Sequence, residues 1–137
     1  MRGGVTTPDE LRRIADVAIK YNVPMVKVTG SQRIDLLGIK KEDLPKVWEE
    51  LGMPSGQAYT KGVRMVKTCV GTQFCRFGTQ DAITTGVELE RRLENLYTPH
   101  KTKLAVVGCP RNCAEATVKD IGLIGQDGSW QVVVGGA

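Results

Sequence analysis

The sequence of 137 residues has no stretch approaching the roughly 20 apolar residues that span a bilayer, which excludes a helical membrane anchor from the function classes to consider. Its opening "MRGGVTTPDE" lacks the apolar middle of a signal peptide, so a cytoplasmic location is expected. No dinucleotide fingerprint is present, so the chain holds no NAD(P)H site of its own. No run of lysines and arginines forms the stripe of a nucleic-acid surface, and the net charge of +4 is modest. Internal repeats and low-complexity segments are absent as well. What is there is the profile of one soluble domain, or of two small subdomains, with 41% apolar and 25% charged residues. Four cysteines without export signals argue against a disulfide framework and favour free thiols or metal ligands.

Local patterns order the chain. Thr7, Pro8 and Glu10 have the spacing of a capping box that opens a helix, with Leu11, Ile14, Ala15, Ala18 and Ile19 as its apolar positions. "MVKVTGSQRIDLLGI" reads as two short strands joined at Thr29 to Gln32. A second helix follows, capped by Asp43, with Leu44, Val47, Trp48 and Leu51 on its apolar face and Gly52 at its end. After the loop-like "PSGQAYTKG", the strand "VRMVKTC" runs into the first cysteine. A helix over Asp81 to Leu96 carries Ile83, Val87, Leu89, Leu93 and Leu96 on one side and Glu88, Glu90, Arg91, Arg92 and Glu94 on the other. "KLAVVG" has the continuous apolar character of a strand buried on both faces. The Asp127-Gly128 turn predicts a closing hairpin. The fold class is therefore α+β.

Five residues separate Cys69 from Cys75 and three separate Cys109 from Cys113, with both pairs at strand ends. The intervening Gly, Pro and Asn make turns that aim backbone amides at sulfur. By ligand type, four thiolates suit zinc or an iron-sulfur cluster. The five-residue gap is long for structural zinc, so spacing favours the cluster, while zinc and inert thiols stay open at this point.

The segments "CVGTQFC" and "GCPRNC", separated by a helix and the P-x-K-x-K of Pro99 to Lys103, resemble the siroheme and [4Fe-4S] domain of the nitrite and sulfite reductase family. "GGVTTPDELRRIADVA" and "VKVTGSQRIDLLGI" are similar to that family's ferredoxin-like half domain. Within the family, "TCVGTQFCRFG", "VVGCPRNCAEA" and "DIGLIG" resemble the large subunit of assimilatory NAD(P)H nitrite reductases. The resemblance implies a half domain over residues 1–60 and a mixed α/β siroheme and [4Fe-4S] domain over 61–137, the latter expected to stop short.

It also implies site residues. Cys69, Cys75, Cys109 and Cys113 would bind the [4Fe-4S] cluster, with the Cys113 sulfur bridging to the siroheme iron. Arg64, Lys101 and Lys103 would be catalytic, holding anionic substrate and siroheme carboxylates, and alternation puts both lysines on one side of a strand. Thr29, Gln32 and Arg33 would contact siroheme. Ser31 stands where sulfite reductases of this family often carry arginine, which favours nitrite over sulfite. Lys67, Arg76 and Arg111 are close in sequence, with roles divided between surface charge and cofactor carboxylates, whereas the single histidine, His100, is expected on the surface. Family members of this kind contain two copies of the unit, so the chain is expected to be an excised piece of a larger reductase. Flavin or NAD(P)H domains would donate its electrons, and a homodimer could supply the second half. The alternatives are a small stand-alone sulfite reductase and a non-catalytic iron-sulfur or zinc module.

Overall fold

The computed structural model describes residues 1–54 and 61–136, and these fall into two compact units. One comprises Met1 and Thr6–Gly56, the other Arg2–Val5 and Gln57–Ala137. The expected loop "PSGQAYTKG", and the domain boundary within it, fall largely on residues outside the described ones.

In the first unit, helix α1 (Pro8–Lys20) starts where the capping box predicts. Glu10 N donates to Thr7 Oγ1 at 3.2 Å, and Thr7 N donates back to Glu10 Oε2 at 3.2 Å. Its buried face is Ile14, Val17 and Ala18, whereas Leu11 and Ile19, expected to be apolar contacts, are exposed. Among the described residues the buried stripe of α1 is narrow: Ile14 and Val17 meet Val47 and Leu51 of helix α2 (Leu44–Leu51). Strands β1 (Met25–Val28) and β2 (Ile34–Leu37) pair antiparallel, and Ile34 and Leu36 pack against this core. Asp43 does not cap α2 with its side chain. A tight turn over Lys41–Asp43 runs straight into the helix, which leaves Asp43 itself helical. Gly52 ends α2 in the left-handed conformation, as expected.

The second unit is built on a four-stranded sheet in the order β3 (Val63–Thr68), β4 (Thr102–Val107), β5 (Ile121–Gln126), β6 (Ser129–Val134). β3, β4 and β5 run parallel, and β6 returns antiparallel through the turn at Gly128. Leu104 to Val107 are at most 2% exposed, as a strand covered on both faces requires. Val66, Leu104 and Val106 pack with Ala82 on one side, and Ala105 and Val107 pack with Ala114, Ala116 and Ile124 on the other. A short helix, α3 (Gly71–Phe74), follows β3, and α4 (Ala82–Leu93) crosses from it towards β4. α4 stops before the expected Leu96, because Glu94 is extended and Asn95 is left-handed.

Glu90 corrects the expected charged face of α4. It is 7% exposed, and its Oε2 accepts from Gly3 N at 2.9 Å and Val66 N at 3.0 Å. Two amides of distant segments thus draw a carboxylate out of solvent and repay its burial with hydrogen bonds. Gly3 O in turn accepts from Thr68 Oγ1, the residue before Cys69, so the N-terminal turn is gripped at both of its polar ends.

Candidate metal centre

Because β3 and β4 are parallel neighbours, the loops that follow them leave the sheet at one edge, the carboxyl edge where open α/β sheets place ligands. Each loop carries one cysteine pair. Cys69 follows β3 directly, and its N–H donates to Val106 O at 3.2 Å. Cys75 closes α3, donating to Gly71 O at 2.9 Å. Asp81 caps α4 by accepting from Thr84 N at 3.0 Å, and it also accepts from Gln73 Nε2 at 2.9 and 3.0 Å. The turn inside the first cysteine pair is thereby tied to a full-length helix. These bonds, Gln73 first and then Thr84, hold the Asp81 carboxyl below its usual range.

The two loops meet at sulfur. Gly108 N donates to Cys69 Sγ at 3.1 Å, and Gly108 O accepts from Thr79 N at 2.7 Å and Gln80 N at 3.0 Å. Glycine makes that approach possible. A Cβ on Gly108 would lie 2.6 Å from Gln80 O and 2.8 Å from Gly71 Cα, and one on Gly125 would lie 2.6 Å from Gly108 O. The first cysteine loop, the second and β5 therefore stack backbone on backbone.

All four cysteines are free thiols. Cys109 is buried, Cys69 and Cys75 are half-buried, and Cys113 is exposed. The guanidinium groups of Arg76 and Arg111 both lie over the Phe77 ring, 4.5 and 3.9 Å from its centroid, and Arg111 so joins the two cysteine turns a second time. Just past Cys113, Glu115 stands at φ 58° and accepts from Lys67 Nζ at 3.0 Å and Lys119 Nζ at 3.3 Å. Lys67 first, then Lys119, lowers the Glu115 carboxyl from its usual range. The roles left open for Lys67, Arg76 and Arg111 thus include local ones: an ion pair for the lysine and a shared aromatic ring for the arginines. Among the described residues, no three Cys, His, Asp or Glu side chains stand together as a site for one metal ion.

Of the basic residues, Arg64 is the extra residue of a bulge in β3, where Val63 pairs with Thr102 and Met65 with Lys103. Bulges re-aim side chains, and Arg64 at this one has its Nε shielded from solvent, while Lys103 on the neighbouring strand pairs with Met65. Lys103 is exposed within β4, and its backbone N donates to Asp120 Oδ2 at 2.6 Å. Lys101 is exposed but lies before β4, because pairing with β3 begins only at Thr102. The expected strand alternation of the two lysines is therefore incomplete. His100 is exposed, as expected.

Thr29, Gln32 and Arg33 belong to the first unit and form the β1–β2 turn. Thr29 Oγ1 accepts from Ser31 N at 3.3 Å and Arg33 N at 3.2 Å, and Gln32 is left-handed at φ 56°. The three are half-buried. Phe77 and Glu115 carry no mark in the sequence. The readable signal for the glycine contacts was Gly71, inside the first cysteine pair, and Gly108, just before the second, in "CVG" and "VVGC".

Residues 59–137 match the family model of the nitrite and sulphite reductase 4Fe-4S domain, and residues 1–54 match that of the nitrite/sulfite reductase ferredoxin-like half domain. The chain is 64% identical over 136 residues to a nitrite reductase [NAD(P)H] of Bacillus subtilis (strain 168), covering 99% of this chain and 17% of that protein. It is 44% identical to the nitrite reductase (NADH) large subunit of Escherichia coli (strain K12), covering 98% of this chain and 16% of that one. The chain thus spans about a sixth of the length of these relatives. Among solved structures, the Mycobacterium tuberculosis NirA protein shares the fold with a TM-score of 0.81 at 18% identity, covering 100% of this chain and 27% of that one.

Proposed function

The chain belongs to the nitrite and sulphite reductase family, and from that premise we propose that it is the siroheme- and [4Fe-4S]-binding part of a cytoplasmic assimilatory nitrite reductase, acting in the six-electron reduction of nitrite to ammonia. The observation that carries this reading is the Gly108 N–H to Cys69 Sγ contact. It joins the two cysteine turns, and an amide aimed at sulfur is a contact by which a protein tunes an iron-sulfur cluster. A single zinc ion draws four sulfurs to about 2.3 Å from one centre, whereas a cluster spreads its thiolates over several irons.

In this reading Cys69, Cys75, Cys109 and Cys113 would hold the cluster, and Cys113, the exposed one, would be shared with the siroheme. When bound, the two groups would supply electron storage and a reducing metal for nitrite. Arg64 on β3, Lys103 on β4 and Lys101 just before β4 would provide fixed positive charge for the anion and for siroheme carboxylates. Thr29, Gln32 and Arg33 orient siroheme from the half domain of residues 1–60, and residues 61–137 carry the cluster. Electrons come from flavin or NAD(P)H domains beyond this segment.

Anaerobic isolation from cells that make siroheme, with iron, sulfide and zinc analysis and electron paramagnetic resonance, tests the reading. Four irons and four sulfides per chain are expected, with magnetic coupling to siroheme that a Cys113→Ser variant loses. Stoichiometric zinc, or coupling that persists in that variant, would refute it.

A further inference from the structure

We infer that Asn112 is the positioning residue that aims the Cys113 thiolate, an inference that rests on Cys113 being the shared ligand. Asn112 stands immediately before Cys113 at φ 57°, in the left-handed region that asparagine tolerates far better than alanine does. Every polar group it has is engaged. Its N–H donates to Cys109 O at 3.3 Å and its carbonyl accepts from Glu115 N at 2.8 Å. Its Oδ1 accepts from Ala116 N at 2.6 Å and its Nδ2 donates to Thr117 Oγ1 at 2.7 Å. One residue therefore reaches from a buried ligand, Cys109, across Cys113 to the turn at Ala116–Val118.

The far side is pinned by packing. Ala114 and Ala116 are 2% and 0% exposed, and both belong to the core under β4. Glu115 between them is also left-handed, held by Lys67 and Lys119. Two non-glycine residues in that conformation within four positions persist only where the surroundings over-determine them. Between Asn112 and the buried Ala114, Cys113 is the residue turned to the outside. The bracket sets the direction of a sulfur that buried packing does not hold.

Three variants separate the two parts of the bracket. Asn112→Gly keeps the left-handed backbone and loses both side-chain bonds. Asn112→Asp keeps the acceptor for Ala116 N, and Asn112→Ala loses bond and conformation together. In holoprotein isolated anaerobically, Asn112→Ala should lower the fraction of clusters coupled to siroheme about tenfold, the scale of one strained residue and one lost bond. Its four-iron content should fall by no more than about twofold, because Cys69, Cys75 and Cys109 still hold the cluster. Asn112→Asp should restore the coupling, and Asn112→Gly should restore part of it. Full coupling in Asn112→Ala overturns the inference, as does an equal loss of coupling and iron in all three variants. A wild-type chain that takes up no cluster would instead refute the function proposed above. The cluster-free chain then decides Asn112 by itself: the buried Cys109 should react with iodoacetamide about tenfold faster in Asn112→Ala than in Asn112→Asp, and equal rates would overturn the inference.

Discussion

Replacing Gly108 by alanine tests whether the two cysteine turns must touch. The new Cβ would lie 2.6 Å from Gln80 O, where ordinary contact begins at 3.4 Å, so the backbones must part by about 0.8 Å. Gln80 O and Gly71 Cα are main-chain atoms of a closed turn, and neither can swing aside as the end of a side chain would. Gly108 is not in the left-handed region, so the cost is one of space alone. Overpacking of this kind costs about 1–3 kcal/mol. Separation also weakens the Gly108 N–H to Cys69 Sγ bond and the bonds from Thr79 and Gln80 to Gly108 O, adding about 1 kcal/mol. The sum is a loss of about 2–4 kcal/mol, measured by urea unfolding of the cluster-free chain. At about 1.4 kcal/mol per factor of ten, anaerobic iron loading should weaken at least tenfold. Gly30→Ala is the control, because nothing lies within 4 Å of that position. If Gly108→Ala unfolds and loads iron as Gly30→Ala does, the glycine contact does not build the site.

Two further outcomes follow from the basic residues and the cap. Lys103→Met in the active reductase should lower kcat/KM for nitrite by about 2–4 kcal/mol of transition-state stabilisation, and unchanged kinetics would make Lys103 a surface residue. Asp81→Ala should cost about 1 kcal/mol near neutral pH, the scale of a lost helix cap. The Asp81 carboxyl titrates below its ordinary 3.8 in the folded chain, so its contribution is fully present above that value and is lost as pH falls through the lower, folded one. The stability gap between wild type and Asp81→Ala should therefore close in acid, and a gap that stays constant down to pH 2 would assign the loss to packing.

Much of the fold could be read locally. The capping box at Thr7, the helix stop at Gly52 and the turn at Gly128 each depend on a few adjacent residues, and each stands as expected. What escaped depends on partners far along the chain. Glu90 sits among charged neighbours in "ELERRLEN", and nothing there shows that the amides of Gly3 and Val66, 87 and 24 positions away, draw it inward. Asp43 has the right type for a cap but lies in a turn that continues into its helix. The cysteine spacings pointed to a ligand set, whereas the contact between the turns depends on close approaches at Gly71, Gly108 and Gly125, two of which the sequence places in or at the end of a strand. The bulge beside Arg64 has no mark in "VRMVK" at all.

The parallel pairing of β3 with β4 also bears on how the chain folds. Cys69 and Gly108 are 39 positions apart, and between them the chain must complete α3 and α4 before the strands can align. Parallel pairing pays its loop-closure entropy before any contact rewards it, so it forms slowly and as part of a cooperative step. Neither cysteine pair can nucleate the other, unlike in a zinc finger, where the metal organises a short unfolded chain. Under the proposed reading, cofactor insertion should therefore follow folding, so that iron and sulfide would be delivered to an already ordered chain.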